Sequence, residues 1–496
     1  MMEQTTEETA ELSELSELSE PVEPSEPVEP VAAIRTRPGI WLAVIALCLI
    51  QFVDVMCVTV VVTTLPKMLA DVGARPADST LIATAYAMFF GGLLLFGARL
   101  GDRFGQRRCI LVSLAVFAAG ALLAATAPSA LVLAAARCIQ GAAAAAAVPA
   151  ALKLLTTVTE SEEARARAVA GWSAAGAAAG AVGYVVGGVV TDLGSWRLIF
   201  WGLLGLSAFQ AAAILTLIRP TLHTHDGQSL NVKASTLFTA AIMLVVVGTT
   251  LLGDPSYRLV ALLLLGLAVA TVGMFYVADH RSSAPLLPRA VLGRKQVRRG
   301  TAGGFINTAT TSGAATLLTL YLQGTLGRGP VTAAVTLLPL SVAVIAGSAA
   351  TARLIVRHSN ERVAAAGLAM IGAGIGLLML NPGATVVVGS TMAVTGFGLG
   401  LSSVATTAMA TDVPEEPRAM ASGIVNTGAQ LGTAIGTAAI LLVATATTGV
   451  PGTHTGTPYL GWTAAVALAG ISALAFARLH VRNRRASRRA AAEPAG

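Results

Sequence analysis

Hydrophobic residues form long runs along this chain, and polar residues are gathered in short segments between them. A run of about 20 residues, folded as a helix, crosses the roughly 30 Å of hydrocarbon in a bilayer. We find fourteen such runs, which predict fourteen membrane-spanning helices with no soluble domain between them. Their approximate bounds are 39–66, 79–98, 108–127, 130–155, 166–190, 197–218, 235–253, 258–277, 301–323, 331–353, 363–381, 384–409, 419–445 and 458–478.

Composition and charge placement support a membrane protein. Hydrophobic residues make up 54% of the chain and charged residues 12%, about half the roughly 25% charge of a soluble domain. With both termini in the cytoplasm, 27 of the 33 Lys and Arg residues would lie on the cytoplasmic side. This asymmetry predicts a multi-pass protein of the cell membrane with cytoplasmic termini. The Lys and Arg residues then expected outside are Lys67, Arg75, Arg197, Arg258 and Arg328.

The two ends differ in charge. The first 34 residues hold ten glutamates and no Lys or Arg, so residues 1–38 are expected to form a disordered acidic cytoplasmic tail. This start lacks the basic segment of a secretory signal, so the first apolar run should remain as a helix. Residues 479–496 are a predicted basic cytoplasmic tail, better suited to anionic lipid than to nucleic acid.

The sequence lacks the motifs expected for ATP hydrolysis, for metal or disulfide sites and for enzymatic catalysis. No Gly-x-x-x-x-Gly-Lys loop is present, which argues against ATP hydrolysis as a power source. Cysteine and histidine spacing suggests neither a disulfide framework nor a zinc site. We also find no cluster of nucleophile, base or metal ligands at one membrane face. We therefore expect no metal, no cofactor and no enzymatic activity.

Arg137 lies inside the fourth apolar run. A guanidinium keeps its charge, and placing it in hydrocarbon costs several kcal/mol, so Arg137 should face a protein interior or a water-filled cavity. The functional interpretation is a transport pathway. The alternative is a structural arginine that bonds backbone carbonyls and holds helices together.

The loop after the second helix carries a recognisable pattern. It reads Gly97-Ala98-Arg99-Leu100-Gly101-Asp102-Arg103-Phe104-Gly105-Gln106-Arg107-Arg108. Glycines one turn apart permit close helix approach, and a glycine between helices permits a tight turn. The loop resembles the signature of the major facilitator superfamily of transporters. The resemblance implies a conformational-gating role for Gly97, Gly101, Asp102, Arg103, Gly105 and Arg107, with Asp102 in an arginine-rich neighbourhood.

Two further helices resemble the same superfamily. Arg137-x-x-Gln140-Gly141 is similar to the fourth-helix signature of its drug:proton antiporters, in which the arginine is associated with proton coupling. The fifth helix, with glycines at spacings of three and four, is similar to the exporters' antiporter signature. It departs from that pattern with Tyr184 in place of proline and Ala179 in place of the first glycine. Gating residues implied there are Gly183, Tyr184, Gly187 and Gly188, and generic helix packing is the alternative.

Asp54 is the only acid in the first helix. The family pattern there usually has Asp and Asn where this chain has Cys57 and Val62. At about 1.5 Å per residue, Asp54 and Arg137 reach nearly the same membrane depth. We therefore expect them to interact and to couple transport to protons, through a carboxylate that binds either a proton or a cationic substrate. A merely structural ion pair is the alternative.

The second half repeats features of the first. A basic segment at Ala352–Arg357 echoes the loop after the second helix. The expected design is two six-helix halves, 39–218 and 301–478, flanking an inserted pair at 235–277. Candidate substrate-cavity residues are Gln140, Asn307, Asn426 and Gln430, although polar residues in membrane helices often only join helices.

The sequence therefore predicts an all-α polytopic membrane protein with the major facilitator fold. The implied function is proton-coupled efflux of a small organic compound, such as a drug or antibiotic, by a monomer whose partners are substrate, protons and the lipid bilayer. The nearest alternative is a facilitator for amino acids or ions. A non-transporting membrane sensor is a further alternative.

Overall fold

The structure, a computed structural model, describes residues 38–74, 78–159, 161–219, 230–445 and 458–490. The predicted acidic tail, apart from Pro38, lies outside these residues, as does Arg75. The chain divides into two units, Met1–Ile40 and Trp41–Gly496, and every contact reported below lies within the second. Throughout the described residues the regular structure is helical, with no strand.

Fourteen long helices occupy the fourteen predicted places. The first eight are α1 (Pro38–Asp71), α2 (Asp78–Phe104), α3 (Gln106–Ala125), α4 (Ala130–Val158), α5 (Glu162–Leu193), α6 (Arg197–Leu217), α7 (Val232–Leu252) and α8 (Arg258–His280). The others are α9 (Lys295–Leu320), α10 (Pro330–Arg357), α11 (Asn360–Leu378), α12 (Thr385–Thr411), α13 (Glu415–Leu431, continuing through Gly432–Gly436 into Thr437–Thr445) and α14 (Tyr459–Ala490). Two π-helical turns interrupt this pattern, Tyr321–Thr325 after α9 and Gly432–Gly436 inside α13.

Thirteen of the helices in the described residues are long and apolar enough to cross a membrane. The helix that falls short is α9, which contains many threonines and glycines and starts with Lys295. It packs against α12, α13 and α14, and no residue from 303 to 320 is exposed. A helix surrounded by protein needs fewer apolar side chains than one that faces lipid, which accounts for its composition.

Two boundaries differ from the sequence prediction. The last helix continues to Ala490, beyond the predicted end at 478 and into the predicted basic tail. Its additional residues include five arginines, and arginine favours helix in water. The ninth helix begins at Lys295, six residues before the predicted start, since basic residues do not register as part of an apolar run.

The helices pair in a repeated order. In the first six, α4 packs on α2 and α3, and α3 packs on α6; in the last six, α12 packs on α10 and α11, and α11 packs on α14. Contacts between the two sets are made by α5 with α10 and by α2 with α13. This is the arrangement that a duplicated six-helix unit would produce.

The remaining pair, α7 and α8, packs together, and α7 also contacts α2 and α13. The contact is a buried apolar cluster that includes Met88, Ile242, Val246, Ala434 and Ala438. Gly92 of α2 permits it, because a Cβ there would meet Thr239 of α7. The inserted pair therefore lies against α2 and α13, two helices from different six-helix sets.

Candidate transport site

Arg137 is the most completely buried charged side chain of the site, with 1% of its surface exposed. Its guanidinium donates to Gln140 Oε1 (2.9 Å) on its own helix α4 and to the carbonyl of Cys57 (2.8 Å) on α1. The ring of Tyr86, on α2, lies beneath it at 4.6 Å. Such partners offset the cost of removing a cation from water. Arg137 thus ties three helices together.

Asp54 lies beside this group on α1 and is 6% exposed. Its carboxylate accepts a hydrogen bond of 2.5 Å from the Tyr86 hydroxyl. The two charged groups do not form a direct ion pair: among the described residues no nitrogen of Arg137 lies within 4.0 Å of Asp54. Tyr86 joins the two instead, with its hydroxyl on the carboxylate and its ring on the guanidinium. Sequence reasoning missed Tyr86, because a single tyrosine in an apolar helix carries no motif.

A small cavity of about 20 Å³ adjoins Asp54 and Tyr86, inside the first six helices. Its other polar lining residues are Ser113 of α3 and Gln210 of α6. Gln210 is 1% exposed, and its Nε2 has no hydrogen-bond partner in the described part of the chain. The volume suits about one water molecule, and a water needs two or more polar partners, which these groups offer. We call this space the proton-site cavity.

A larger space of about 210 Å³, which we call the central cavity, lies between the two sets of helices. Residues from both sets line it: Val55, Val58, Thr59, Val62, Ala83, Gly176, Ala177, Gly180, Tyr184, Thr311, Ser312, Ala315, Thr316, Leu340, Ser341, Val344, Leu399, Thr433 and Thr437. Its position suits a substrate that both halves hold. The proton-site cavity and the central cavity share no lining residue, although α1 and α2 contribute to both.

None of the four predicted substrate-cavity residues lines the central cavity. Gln140 is buried against Arg137, and Asn307 is 1% exposed, with both amide atoms unpartnered among the described residues. Asn426 is exposed, and Gln430 backs onto Gly91 of α2. The sequence could predict how far along its helix each residue lies, but not the direction in which its side chain points. Successive side chains are turned by about 100° around the helix axis. On α13 the side chains that reach the cavity belong to the residues 433 and 437.

The loop between α2 and α3 holds the predicted gating residues close to neighbouring helices. Gly105 has φ +90°, which favours glycine, and a Cβ at Gly97 would meet the backbone of Ala145 and Ala146 on α4. A Cβ at Gly101 would meet the side chain of Gln106. The predicted close approach and tight turn therefore have local structural causes.

The charged residues of this loop have partners other than those expected. Asp102 accepts from Lys153 of α4 (2.6 Å) and Gln106 (2.9 Å), rather than from the neighbouring arginines. Arg107 donates to the carbonyls of Ile218 (2.7 Å) and Leu215 (3.2 Å) at the end of α6, and Arg103 is exposed over Phe104. The loop thus connects α2 with α4 and α6.

Glycines of α5 face two helices. A Cβ at Gly183 or Gly187 would meet the backbone and threonine side chains of α1. A Cβ at Gly188 would meet Pro330, Val331 and Ala334 of α10. Tyr184 lies between these contacts and lines the central cavity. The glycine stripe therefore packs α5 between α1 of the first set and α10 of the second.

Comparison with known proteins identifies the family. The family model described as Major Facilitator Superfamily matches residues 47–437 and 301–495. The chain belongs to the major facilitator superfamily. The prediction made from the loop and helix signatures is confirmed, and so is the predicted all-helical fold class.

Three curated relatives cover most of this facilitator. The lincomycin resistance protein of Streptomyces lincolnensis is 30% identical, over 88% of this chain and 89% of that protein. The puromycin resistance protein pur8 of Streptomyces alboniger is 31% identical, over 83% of each. The cephamycin export protein CmcT of Amycolatopsis lactamdurans is 31% identical, over 84% of this chain and 89% of that protein.

A solved structure shares the fold. The human organic anion transporter MFSD10 superposes with a TM-score of 0.61, over 89% of this chain and 100% of that one. The identity is 14%, so this likeness bears on the fold alone. The chain is a multi-pass membrane transporter of the facilitator type.

Proposed function

We propose that the protein is a proton-coupled exporter of small organic compounds, such as antibiotics, across the cell membrane by alternating access. The observation that carries this proposal is the buried Asp54–Tyr86–Arg137 group, because two of the helices that hold it, α1 and α2, also line the cavity between the two sets of helices. The names of the relatives support export: they are resistance and export proteins. A buried carboxylate supplies the titratable group that an ion-driven transporter requires.

In the proposed cycle Asp54 holds the proton. When Asp54 is charged, the Tyr86 hydroxyl donates a charge-assisted hydrogen bond to it; protonation weakens that bond. Because Arg137 rests on the Tyr86 ring and also bonds the Cys57 carbonyl of α1, a change at Asp54 reaches both α1 and α4. Residues Val55, Val58 and Thr59 of α1 form part of the central cavity wall. Proton binding and substrate binding are thus linked through α1.

The rest of the proposal concerns architecture and surroundings. We propose two six-helix halves, 39–218 and 301–478, that rock about the central cavity. The inserted pair, 235–277, would stay packed against α2 and α13 during this movement. The repeated pairing order of the helices supports this division. The excess of Lys and Arg in alternate loops supports cytoplasmic termini. We propose a monomer as the working unit, since each half contributes to one central cavity.

Inside-out vesicles test the proposed function. With puromycin or lincomycin outside and an acidic lumen, we expect accumulation of the compound in the lumen, because protons leaving the lumen would drive it inward. A protonophore should stop the accumulation, and vesicles without the protein should show none. Accumulation that ignores both the pH gradient and the protonophore, or net movement in the opposite direction, would contradict proton-coupled export.

Replacing Tyr86 with phenylalanine tests the link between the two charged residues. The ring under Arg137 remains, but the hydroxyl on Asp54 is lost. A hydrogen bond to a charged group contributes about 1.5–3 kcal/mol, so we expect gradient-driven transport to fall ~10- to 100-fold and its pH profile to move. Tyr257→Phe, at an exposed tyrosine outside the site, is the matched control. A wild-type rate and pH profile in Tyr86→Phe would remove Tyr86 from the coupling mechanism.

A further inference from the structure

The residues around the central cavity carry no charge. Among the described residues, every one that lines the cavity is aliphatic, glycine, serine, threonine or tyrosine, and none is an acid, a base or a histidine. An ion taken into such a space would lose its hydration without meeting an opposite charge, which costs several kcal/mol or more. A neutral molecule avoids that cost.

The nearest functional carboxylate faces elsewhere. Asp54 lines the proton-site cavity, whereas Val55, Val58 and Thr59 of the same helix line the central cavity. A cationic substrate in the central cavity therefore has no direct access to Asp54. The sequence-based expectation of competition between a proton and a cationic substrate for one carboxylate would require Asp54 to face the central cavity, and Asp54 is not among the residues that line it.

Hydroxyl groups provide the polar part of the central cavity. Thr59, Thr311 and Thr433 donate to carbonyls of their own helices, which leaves their oxygens free to accept. Other hydroxyls have no hydrogen-bond partner among the described residues, and these belong to Tyr184, Ser312, Thr316, Ser341 and Thr437. The cavity can therefore donate to carbonyl or ether oxygens and accept from hydroxyl or amide groups, between apolar patches of valine and leucine.

Tyr184 is the largest polar side chain of this wall. It is 5% exposed and belongs to a buried apolar cluster that includes Ala315 of α9 and Leu340 of α10, both from the second set of helices. It occupies the place where the exporter signature has proline. One turn earlier along α5, Gly180 lies against Ser341, so backbone, hydroxyl and ring meet at this part of the cavity. A hydroxyl at a cavity wall that has no partner within the protein can be satisfied by a ligand or by water.

We propose that the central cavity takes neutral, amphipathic organic molecules with hydrogen-bonding groups, and that Tyr184 determines their selection by donating its hydroxyl to them. This inference rests on the proposed function for the role of the cavity. It concerns binding, however, and so can be tested without a proton gradient. Proton coupling then remains a separate question, decided at Asp54.

Binding to the purified full-length protein in nanodiscs tests the proposal. The neutral probes are chloramphenicol and cortisol, and the permanently charged probe is tetraphenylphosphonium. We expect saturable binding of the neutral probes and none of the cation. Tyr184→Phe keeps the ring and removes only the hydroxyl, so we expect ~5- to 10-fold weaker binding of a neutral probe, as for one lost hydrogen bond. Tyr257→Phe should leave its Kd unchanged.

The outcomes separate this proposal from the proposed function. Binding of tetraphenylphosphonium that displaces the neutral probes would overturn the proposal, as would the absence of binding by both neutral probes. Unchanged Kd values of the neutral probes in a folded Tyr184→Phe protein would overturn the role of Tyr184. Binding as expected, together with flux that ignores the pH gradient, would support the proposal while contradicting proton-coupled export.

Discussion

Replacing Asp54 with asparagine is expected to reduce gradient-driven transport to the background of vesicles without the protein. The amide is nearly the same size as the carboxyl and still accepts a hydrogen bond from the Tyr86 hydroxyl, which is 2.5 Å from Asp54. It cannot gain or lose a proton in the physiological range, so the proposed coupling step is removed while packing is kept. Insertion and thermal stability should stay close to wild type.

An exchange assay distinguishes this result from simple inactivation. With labelled compound on one side, unlabelled compound on the other and no pH gradient, Asp54→Asn should still exchange the two, since exchange needs only the alternating cavity. Asp192→Asn, at an exposed carboxylate of α5, is the matched control and should transport normally. Wild-type gradient-driven transport by Asp54→Asn would reject Asp54 as the proton carrier.

The expected effect of Asp54→Asn on transport depends on α1, because this helix lines both cavities. The residues Val53 and Asp54 line the proton-site cavity, and Val55 lines the central cavity, so one turn of α1 has surfaces in both. Glycines of α5 lie directly on the same helix, at Thr59 and Thr63. A small rotation or shift of α1 would therefore displace α5, which packs on it, and also α10, which packs on α5 at Gly188. In the proposed mechanism α1 transmits the proton state to the substrate cavity.

The sequence was most informative about position along each helix. The depth estimate brought Asp54 and Arg137 to one level because helical rise is nearly constant, and the structure places them on either side of Tyr86. The tight turn at Gly105 could likewise be predicted, because its cause lies in neighbouring residues. Length and hydropathy are also local properties, and thirteen of the described helices satisfy both, α9 being the exception.

Direction around each helix could not be obtained in the same way. Asn307, Asn426 and Gln430 lie on helices near the central cavity, but their side chains lie elsewhere. Partners from distant helices were equally inaccessible, as for Gln210, which approaches the proton-site cavity from α6. Such contacts depend on how several helices pack, and a polar residue in an apolar run gives no sign of its partner.

Replacing Arg137 with lysine is expected to lower gradient-driven transport ~10- to 100-fold, since a charged hydrogen bond contributes about 1.5–3 kcal/mol. Lysine keeps the positive charge, but its ammonium lacks the planar fork that contacts Gln140 and Cys57 while lying on Tyr86. Such a loss would show that transport requires the geometry of the Arg137 guanidinium and not only a positive charge at this position.

Arg137→Ala is expected to be more severe, because it leaves empty space and unpairs the Gln140 side chain. Both transport and thermal stability should fall, measured by vesicle accumulation and by the unfolding temperature of the purified protein. Arg353→Ala, at an exposed arginine of α10, is the matched control and should change neither. If Arg137→Lys and Arg137→Ala lose stability but keep proton-dependent transport at the wild-type rate per folded molecule, Arg137 serves packing alone, and the coupling role would pass to Asp54 and Tyr86.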